Sequence, residues 1–303
     1  MTLIDKLKEV SAFLGSKGIE DAVKEAEILI TEALCINRVT LYSGDLEISD
    51  ETSRDIDSLA ARRAAGEPIQ YIIGHVDFYG LNINVGRGVL IPRPETELLV
   101  EETIKQIKKR FTLHRSRFTV LDLCTGSGCI ALCIAKHLPD ADVFGTDISE
   151  EALRYALYNA DLNGIENVTF LRGDLYEPVK GMRFDVIVAN PPYIRRMDIK
   201  NLQPEINLWE PVGALDGGED GLQFYREILH RSAEHLKDGG LIIMEVGSGE
   251  AEDVSIIAGA QGLRCTSVVR DYSGIRRVLC FCYRRTVKSG SASSHAHTLT
   301  HSQ

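Results

Sequence analysis

The chain has 303 residues, of which 44% are hydrophobic and 26% charged. That balance suits a globular protein of one or two domains and excludes collagen-like, low-complexity or wholly disordered architectures. Acidic residues outnumber basic ones 44 to 34, giving a formal net charge of −10, which argues against a chain whose main work is gripping a nucleic acid backbone.

From Met1 to Lys17, charge and apolar residues interleave, with Asp5 and Glu9 among them, so neither a signal nor a transit peptide is expected. No apolar run approaches the ~18 residues needed to span a bilayer. The expectation is a cytoplasmic protein without membrane attachment. The cysteines are Cys35, Cys124, Cys129, Cys133, Cys265, Cys280 and Cys282, with no Cys-x-x-Cys pair. They read as small buried thiols of a reducing compartment, and no metal site is expected.

Residues 1–76 read as a helical domain. Leu3, Leu7, Val10 and Leu14 recur at helical spacing, as do Ala22, Ala26, Leu29, Ile30 and Ala33. A third helix runs from Asp50 to Ala65, ahead of Gly66 and Pro68. This region has an acidic excess and makes a plausible partner-docking surface. Phe78, Leu81, Ile83 and Val85 partly alternate with Gly and Asn, so 77–91 reads as a hairpin linker. Pro92 and Pro94 then set the entry to a helix ending near Arg110, with Glu95 and Glu97 at its start. Lys105, Lys108, Lys109, Arg110, Arg115 and Arg117 read as a solvated face.

Beyond this helix, strands and helices alternate. Strands are expected over 118–123, 141–146, 168–172, 184–189, 241–246, 263–270 and 277–283, with helices over 129–137, 150–163, 225–236 and 250–260. Such alternation builds a parallel sheet with helices on both faces. Residues 271–274 are too few for a parallel crossover, so the last strand should run antiparallel. The expected fold is α/β: a Rossmann-like seven-stranded sheet over 92–285 behind a small helical domain. The stretch 286–303 is Ser-, Thr- and His-rich, with His295, His297 and His301, and reads as a disordered tail.

Two turns of this sheet carry chemistry. After the first strand comes Asp122, Leu123, Cys124, Thr125, Gly126, Ser127, Gly128. Glycines let the backbone bend sharply against a ligand, and the free N–H groups of the following helix point into the same space. Asp147, at the end of the second strand, can accept both hydroxyls of a ribose, and Asp174, followed by Leu175, can face an adenine edge. By itself the loop fits S-adenosylmethionine, a nicotinamide or flavin dinucleotide, or a structural turn. Asp122 tilts the choice, because a carboxylate there could hold an amino-acid ammonium but would repel a pyrophosphate.

The fourth strand ends in Asn190, Pro191, Pro192 and Tyr193. Two prolines can simply end a strand. A functional role is favoured because ligands of open parallel sheets bind beyond the carboxyl ends of the strands. A carboxamide or ring amino group is a weak nucleophile. The Asn190 oxygen and the Pro191 carbonyl could each accept one of its hydrogens and aim its lone pair at an electrophilic methyl. Tyr193 could pack on a flat group.

With these motifs the chain resembles the release-factor glutamine methyltransferases, which act on the Gln of a Gly-Gly-Gln loop in peptide-chain release factors. The resemblance covers almost the whole chain to about residue 285. It rests on Asn190 to Tyr193, on residues 88–97 around Pro92, Arg93, Pro94 and Glu95, and on 210–221 followed by Tyr225 and Arg226. It implies S-adenosylmethionine as cofactor. It also implies that Thr125, Gly126 and Gly128 line its methionine part beside Cys124 and Ser127, that Asp147 lies on the ribose with Asp174 and Leu175 near adenine, and that Asn190 and Pro191 hold the substrate amide. Arg93 and Glu95 fall near the mouth of the site in a supporting role. Cys124 stands where many members have Gly, and Leu175 where some have an aromatic residue. A monomer without direct DNA contact is expected. The alternatives are a ribosomal-protein glutamine methyltransferase, a nucleic acid adenine-N6 or guanine-N2 methyltransferase, a nicotinamide oxidoreductase and a non-catalytic nucleoside-binding module.

Overall fold

A computed structural model describes residues 1–43, 46–110 and 117–284. The expected tail over 286–303 and Arg115 lie outside the described residues. The chain opens with α1 (Leu3–Ser16), α2 (Ala22–Leu34), α3 (Arg38–Tyr42), α4 (Asp50–Ala64) and α5 (Ile69–Ile73). Thr2, Asn37 and Ser49 cap α1, α3 and α4 by accepting backbone N–H groups. Asp50 and Glu51 begin α4 while Arg62 and Arg63 end it, matching the helix dipole. The stripe Leu3, Leu7, Val10 and Leu14 meets Ala26, Leu29 and Ile30 of α2 and Ile56 and Ala60 of α4 in a core of its own. Lys6 is fully buried beside it, its ammonium 2.6 Å from Asp57. The periodicity did not reveal α3 and α5, because five residues make barely more than one turn.

Strands β1 (His75–Phe78) and β2 (Leu81–Asn84) form an antiparallel hairpin. Tyr79 and Gly80 turn it with positive φ at both positions, 47° and 78°, the geometry that suits the twist of paired strands. Phe78, Leu81 and Ile83 enter the core of the following sheet.

The next elements are α6 (Glu97–Arg110), β3 (Phe118–Leu123), α7 (Cys129–His137), β4 (Ala141–Asp147), α8 (Glu150–Asn163), β5 (Val168–Arg172) and β6 (Phe184–Ala189). After them come α9 (Pro204–Asn207), α10 (Gln223–His235), β7 (Leu236–Glu245), α11 (Ala251–Ala260), β8 (Arg264–Arg270) and β9 (Arg276–Cys282). The seven strands from β3 onward form one sheet in the order β5-β4-β3-β6-β7-β9-β8. As expected, the last strand runs antiparallel, between β7 and β8. Successive residues of the central strands enter opposite cores. Val120, Val186 and Val188 lie on one face, Leu121, Leu123, Ile187 and Ala189 on the other. This is why these strands read as continuous apolar runs. β7 starts earlier than the expected residue 241, since Leu236 already pairs with Phe184 across an irregular register.

Four cysteines are buried as expected (Cys129, Cys133, Cys280 and Cys282), but Cys35 and Cys265 are exposed. Cys35 ends α2 in a left-handed conformation, which turns it away from the core. Among the described residues, no helix is long and apolar enough to cross a membrane.

One buried side chain joins the hairpin to the loop after β3. Asn159 of α8 accepts from the Asn84 N–H at 2.7 Å and donates to the carbonyls of Asn84 and Ser127 at 3.1 and 3.0 Å. Asn159→Ala strands three backbone groups in a dry site and should cost about 1–3 kcal/mol, read as a lower urea midpoint at unchanged slope.

Candidate active site

Strand order reverses between β3 and β6, and that is where the two motifs meet. Leu123 pairs with Ala189, so Cys124 and Asn190 leave the sheet side by side. A cavity of about 310 Å³ opens there. Its walls include Cys124, Thr125, Gly126, Ser127, Asp147, Asp174, Leu175, Asn190 and Pro192 among the residues expected from sequence.

The loop after β3 is held from β4. The Thr125 N–H donates to the Thr146 carbonyl at 3.0 Å, and the Gly126 N–H to Asp147 Oδ2 at 2.9 Å. Asp147 Oδ1 accepts from the Ser149 N–H at 2.9 Å. Each oxygen keeps a lone pair for a hydroxyl donor. Burial pushes the Asp147 carboxyl up, while these N–H groups pull it back down.

Two residues expected at the ligand lie outside the cavity wall. Asp122 does not face the cavity. Its Oδ2 accepts from the Thr125 hydroxyl at 2.6 Å and the Ala131 N–H at 3.2 Å, in full burial. It therefore braces the loop through Oδ2, while its buried Oδ1 has no hydrogen-bond partner among the described residues. Burial pushes its carboxyl up to about 7. Gly128 is also absent from the cavity wall. It starts α7 at φ 80°, and a Cβ there would stand 2.9 Å from the Phe170 ring and 3.0 Å from the Ala156 methyl. Its small size lets α7 and α8 approach.

Pro191 and Tyr193 line a second cavity of about 160 Å³ rather than the first. The two cavities share Leu90, Arg93, Asn190 and Ala214. Asn190 thus sits at the junction. Its Nδ2 donates to the Thr96 hydroxyl at 3.2 Å, which leaves its Oδ1 as the free end of the carboxamide. Burial pushes the Tyr193 phenol up to about 12, so it keeps its proton at neutral pH.

Residues 210–221 fold over this corner. The Ile194 N–H donates to the Leu215 carbonyl and the Gly217 N–H to the Ile194 carbonyl, at 2.9 and 2.8 Å. A Cβ on Gly217 would come within 2.7 Å of the Tyr193 Cα, so only glycine fits. Buried Glu210 binds the Arg93 guanidinium at 2.5 Å and the Ile91 N–H at 3.2 Å. That pairing, and Thr96, went unread in the sequence because the partners are far apart along the chain. Phe224 and Ile130, two further wall residues, were not singled out in the sequence.

Two family models match the chain: a PrmC N-terminal domain over residues 5–74 and a Methyltransferase small domain over residues 96–205. The Release factor glutamine methyltransferase of Thermodesulfovibrio yellowstonii is 46% identical over 92% of this chain and 97% of its own length. That of Geobacter sulfurreducens is 43% identical over 88% and 92%. The chain belongs to the release factor glutamine methyltransferases. A methyltransferase of Pyrococcus furiosus superposes with a TM-score of 0.51 at 20% identity, covering 78% of this chain and all of that one, which supports the common fold.

Two wall residues share a backbone property. Cys124 and Leu175 both have positive φ, 58° and 45°, where a side chain costs about 1 kcal/mol that glycine would not. The cavity suits the methyl donor of a methyltransferase. Val89, Leu90, Ile130, Leu175 and Phe224 supply apolar wall, while Asp147 and Asp174 offer acceptors. Asp147→Ala removes one such acceptor and the Gly126 anchor. Its dissociation constant for S-adenosylhomocysteine should rise about 10- to 100-fold, corresponding to one or two charge-assisted hydrogen bonds, as measured by calorimetric titration.

Proposed function

We propose that this enzyme transfers a methyl group from S-adenosylmethionine to the side-chain amide nitrogen of the glutamine in the Gly-Gly-Gln motif of release factors. The relatives' names support the substrate. The observation that carries the chemistry is the free Asn190 oxygen at the junction of the two cavities. In this reading the larger cavity takes the donor, with Thr125, Gly126 and Ser127 near its methionine part, Asp147 on the ribose, and Asp174 and Leu175 toward adenine. The donor supplies a methyl carbon activated by a sulfonium. The smaller cavity takes the glutamine side chain.

An amide nitrogen attacks poorly because its lone pair is delocalised into the carbonyl. Asn190 Oδ1 accepts one of its hydrogens and the Pro191 carbonyl the other. Two acceptors on one nitrogen aim the lone pair and stabilise the positive charge that grows there. Having no N–H, Pro191 donates no backbone hydrogen bond, and its ring holds the carbonyl rigidly. No base is needed beforehand: the alkylated nitrogen is acidic and gives its extra proton to water. Tyr193, protonated, serves as a flat wall.

Residues 1–76 serve as the docking domain, 77–91 as the linker and 92–285 as the catalytic domain, in a cytoplasmic monomer. Arg63 of α4 supports a working connection, since its guanidinium lies 2.5 Å from Glu25 in α2 and 2.9 Å from Glu205 in α9, next to Ile206 of the smaller cavity.

Incubation with methyl-labelled donor should label a wild-type release factor and spare one carrying Gln→Ala in the Gly-Gly-Gln loop. Label on both proteins, or only on ribosomal protein or RNA, would reject the proposal. Asn190→Ala should lose at least about 100-fold in kcat, with S-adenosylhomocysteine affinity within about threefold of wild type.

A further inference from the structure

A carboxamide has two ends of nearly equal shape and opposite polarity. For Asn190 to accept a hydrogen from the substrate, its oxygen must face the cavity and its NH2 must find an acceptor elsewhere. That acceptor is the Thr96 hydroxyl, 3.2 Å away on the turn Pro94–Thr96 that leads into α6. A hydroxyl, however, can donate as readily as it accepts, so Thr96 alone does not choose which end of Asn190 it meets.

The choice comes from the next strand. Ala189 pairs with Met244, which puts Glu245, the last residue of β7, alongside Asn190. The Thr96 hydroxyl lies near the Glu245 carboxyl and pulls it down, against the burial that pushes it up. Thr96 and Glu245 are each 2% exposed, and Glu245 Oε2 has no hydrogen-bond partner. A buried carboxylate with an unsatisfied oxygen is an expensive residue for a strand end that Gln or Met could fill.

We propose that Glu245 and Thr96 are positioning residues that lock the Asn190 carboxamide with its oxygen toward the substrate. Ionised Glu245 can only accept, so the single Thr96 hydrogen is committed to it. The Thr96 lone pairs then face Asn190, and only the NH2 end of that side chain satisfies them. Polarity passes from Glu245 to Thr96 to Asn190, and each link has one allowed direction. The inference rests on the reading of Asn190 as the substrate acceptor.

Protonation reverses the logic. A neutral Glu245 can donate to Thr96 and free the Thr96 hydrogen to turn toward Asn190, where a flipped carboxamide is equally welcome. The groups around Glu245 are Arg277, Arg93 and Glu95, with Tyr193, Tyr225 and Cys129 also near. Burial dominates over the two arginines and pushes the carboxyl up to about 7. Turnover should therefore fall as pH drops through neutrality, because the unlocked form gains population.

The test compares kcat, KM for a release factor and the pH profile in four variants of the full chain. Glu245→Gln should lose about 10- to 100-fold in kcat, the range expected when a reacting group is misoriented. It should keep its affinity for S-adenosylhomocysteine and show no acid limb near pH 7. Thr96→Ser should retain wild-type kcat and the limb. Thr96→Val, which keeps the shape and removes the hydroxyl, should lose as much as Glu245→Gln. Asn190→Ala is the control. If it turns over normally, the site reading itself fails. If it is inactive while Glu245→Gln and Thr96→Val match wild type, only the lock is overturned. An acid limb that survives in Glu245→Gln also overturns it. Should Glu245→Gln fail to fold, the Thr96 pair decides, and equal kcat in the Val and Ser variants overturns the lock.

Discussion

The parallel pairing of β3 with β6 is the constraint on which the site depends. Four residue pairs, from Val120 with Val186 to Leu123 with Ala189, set the register. They deliver a glycine loop and a proline corner to the same edge. A slip of one residue would exchange the faces of every side chain on β6 and send Ile187 and Ala189 into the wrong core. Apolar burial on both sides of the sheet thus fixes the relative position of the two motifs.

Around that pairing the molecule holds several carboxylates where water is scarce. Asp122 braces the loop from behind, Glu210 ties residues 210–221 to Arg93, and Glu245 stands at the end of β7. Each is costly to bury, and Asp122 and Glu210 each bind a group that must keep one orientation. The exposed ion pairs, such as Arg172 with Glu150, add little by comparison because solvent screens them. The acidic balance of the chain is therefore only partly a surface property.

The sheet was largely legible because its signal is local. β3 and β6 are largely apolar, a glycine-rich turn follows β3, and a short link forces β9 antiparallel. The two motifs could be placed together because switch-point geometry follows from strand order. What stayed hidden depends on tertiary approach. Asp122 looked like a ligand carboxylate because a sequence does not show which way a strand-end side chain points. Gly128 looked like part of the wall, but its size is demanded by Ala156 and Phe170 of the neighbouring α8 and β5. Thr96 lies within the 88–97 motif without a role readable there, and Glu245 carries no motif. They matter only because β7 lies beside β6 and the turn before α6 passes over both.

The hairpin sits between the two halves in sequence but not in energy. Phe78, Leu81 and Ile83 are shared with the sheet's own interior, and Asn159 stitches the second strand to the glycine loop. The linker is therefore packed as part of the sheet's core, and α5 before it shares its residues between both cores. A fragment trimmed after Ile91 would carry a raw apolar scar and a slackened loop, and one cut before His75 would still lose Tyr71, whose ring belongs to the sheet's core and whose hydroxyl donates to the Val89 carbonyl. The hairpin thus moves with the sheet, and the helical bundle is tied to both through Tyr71 and the Arg63–Glu205 pair.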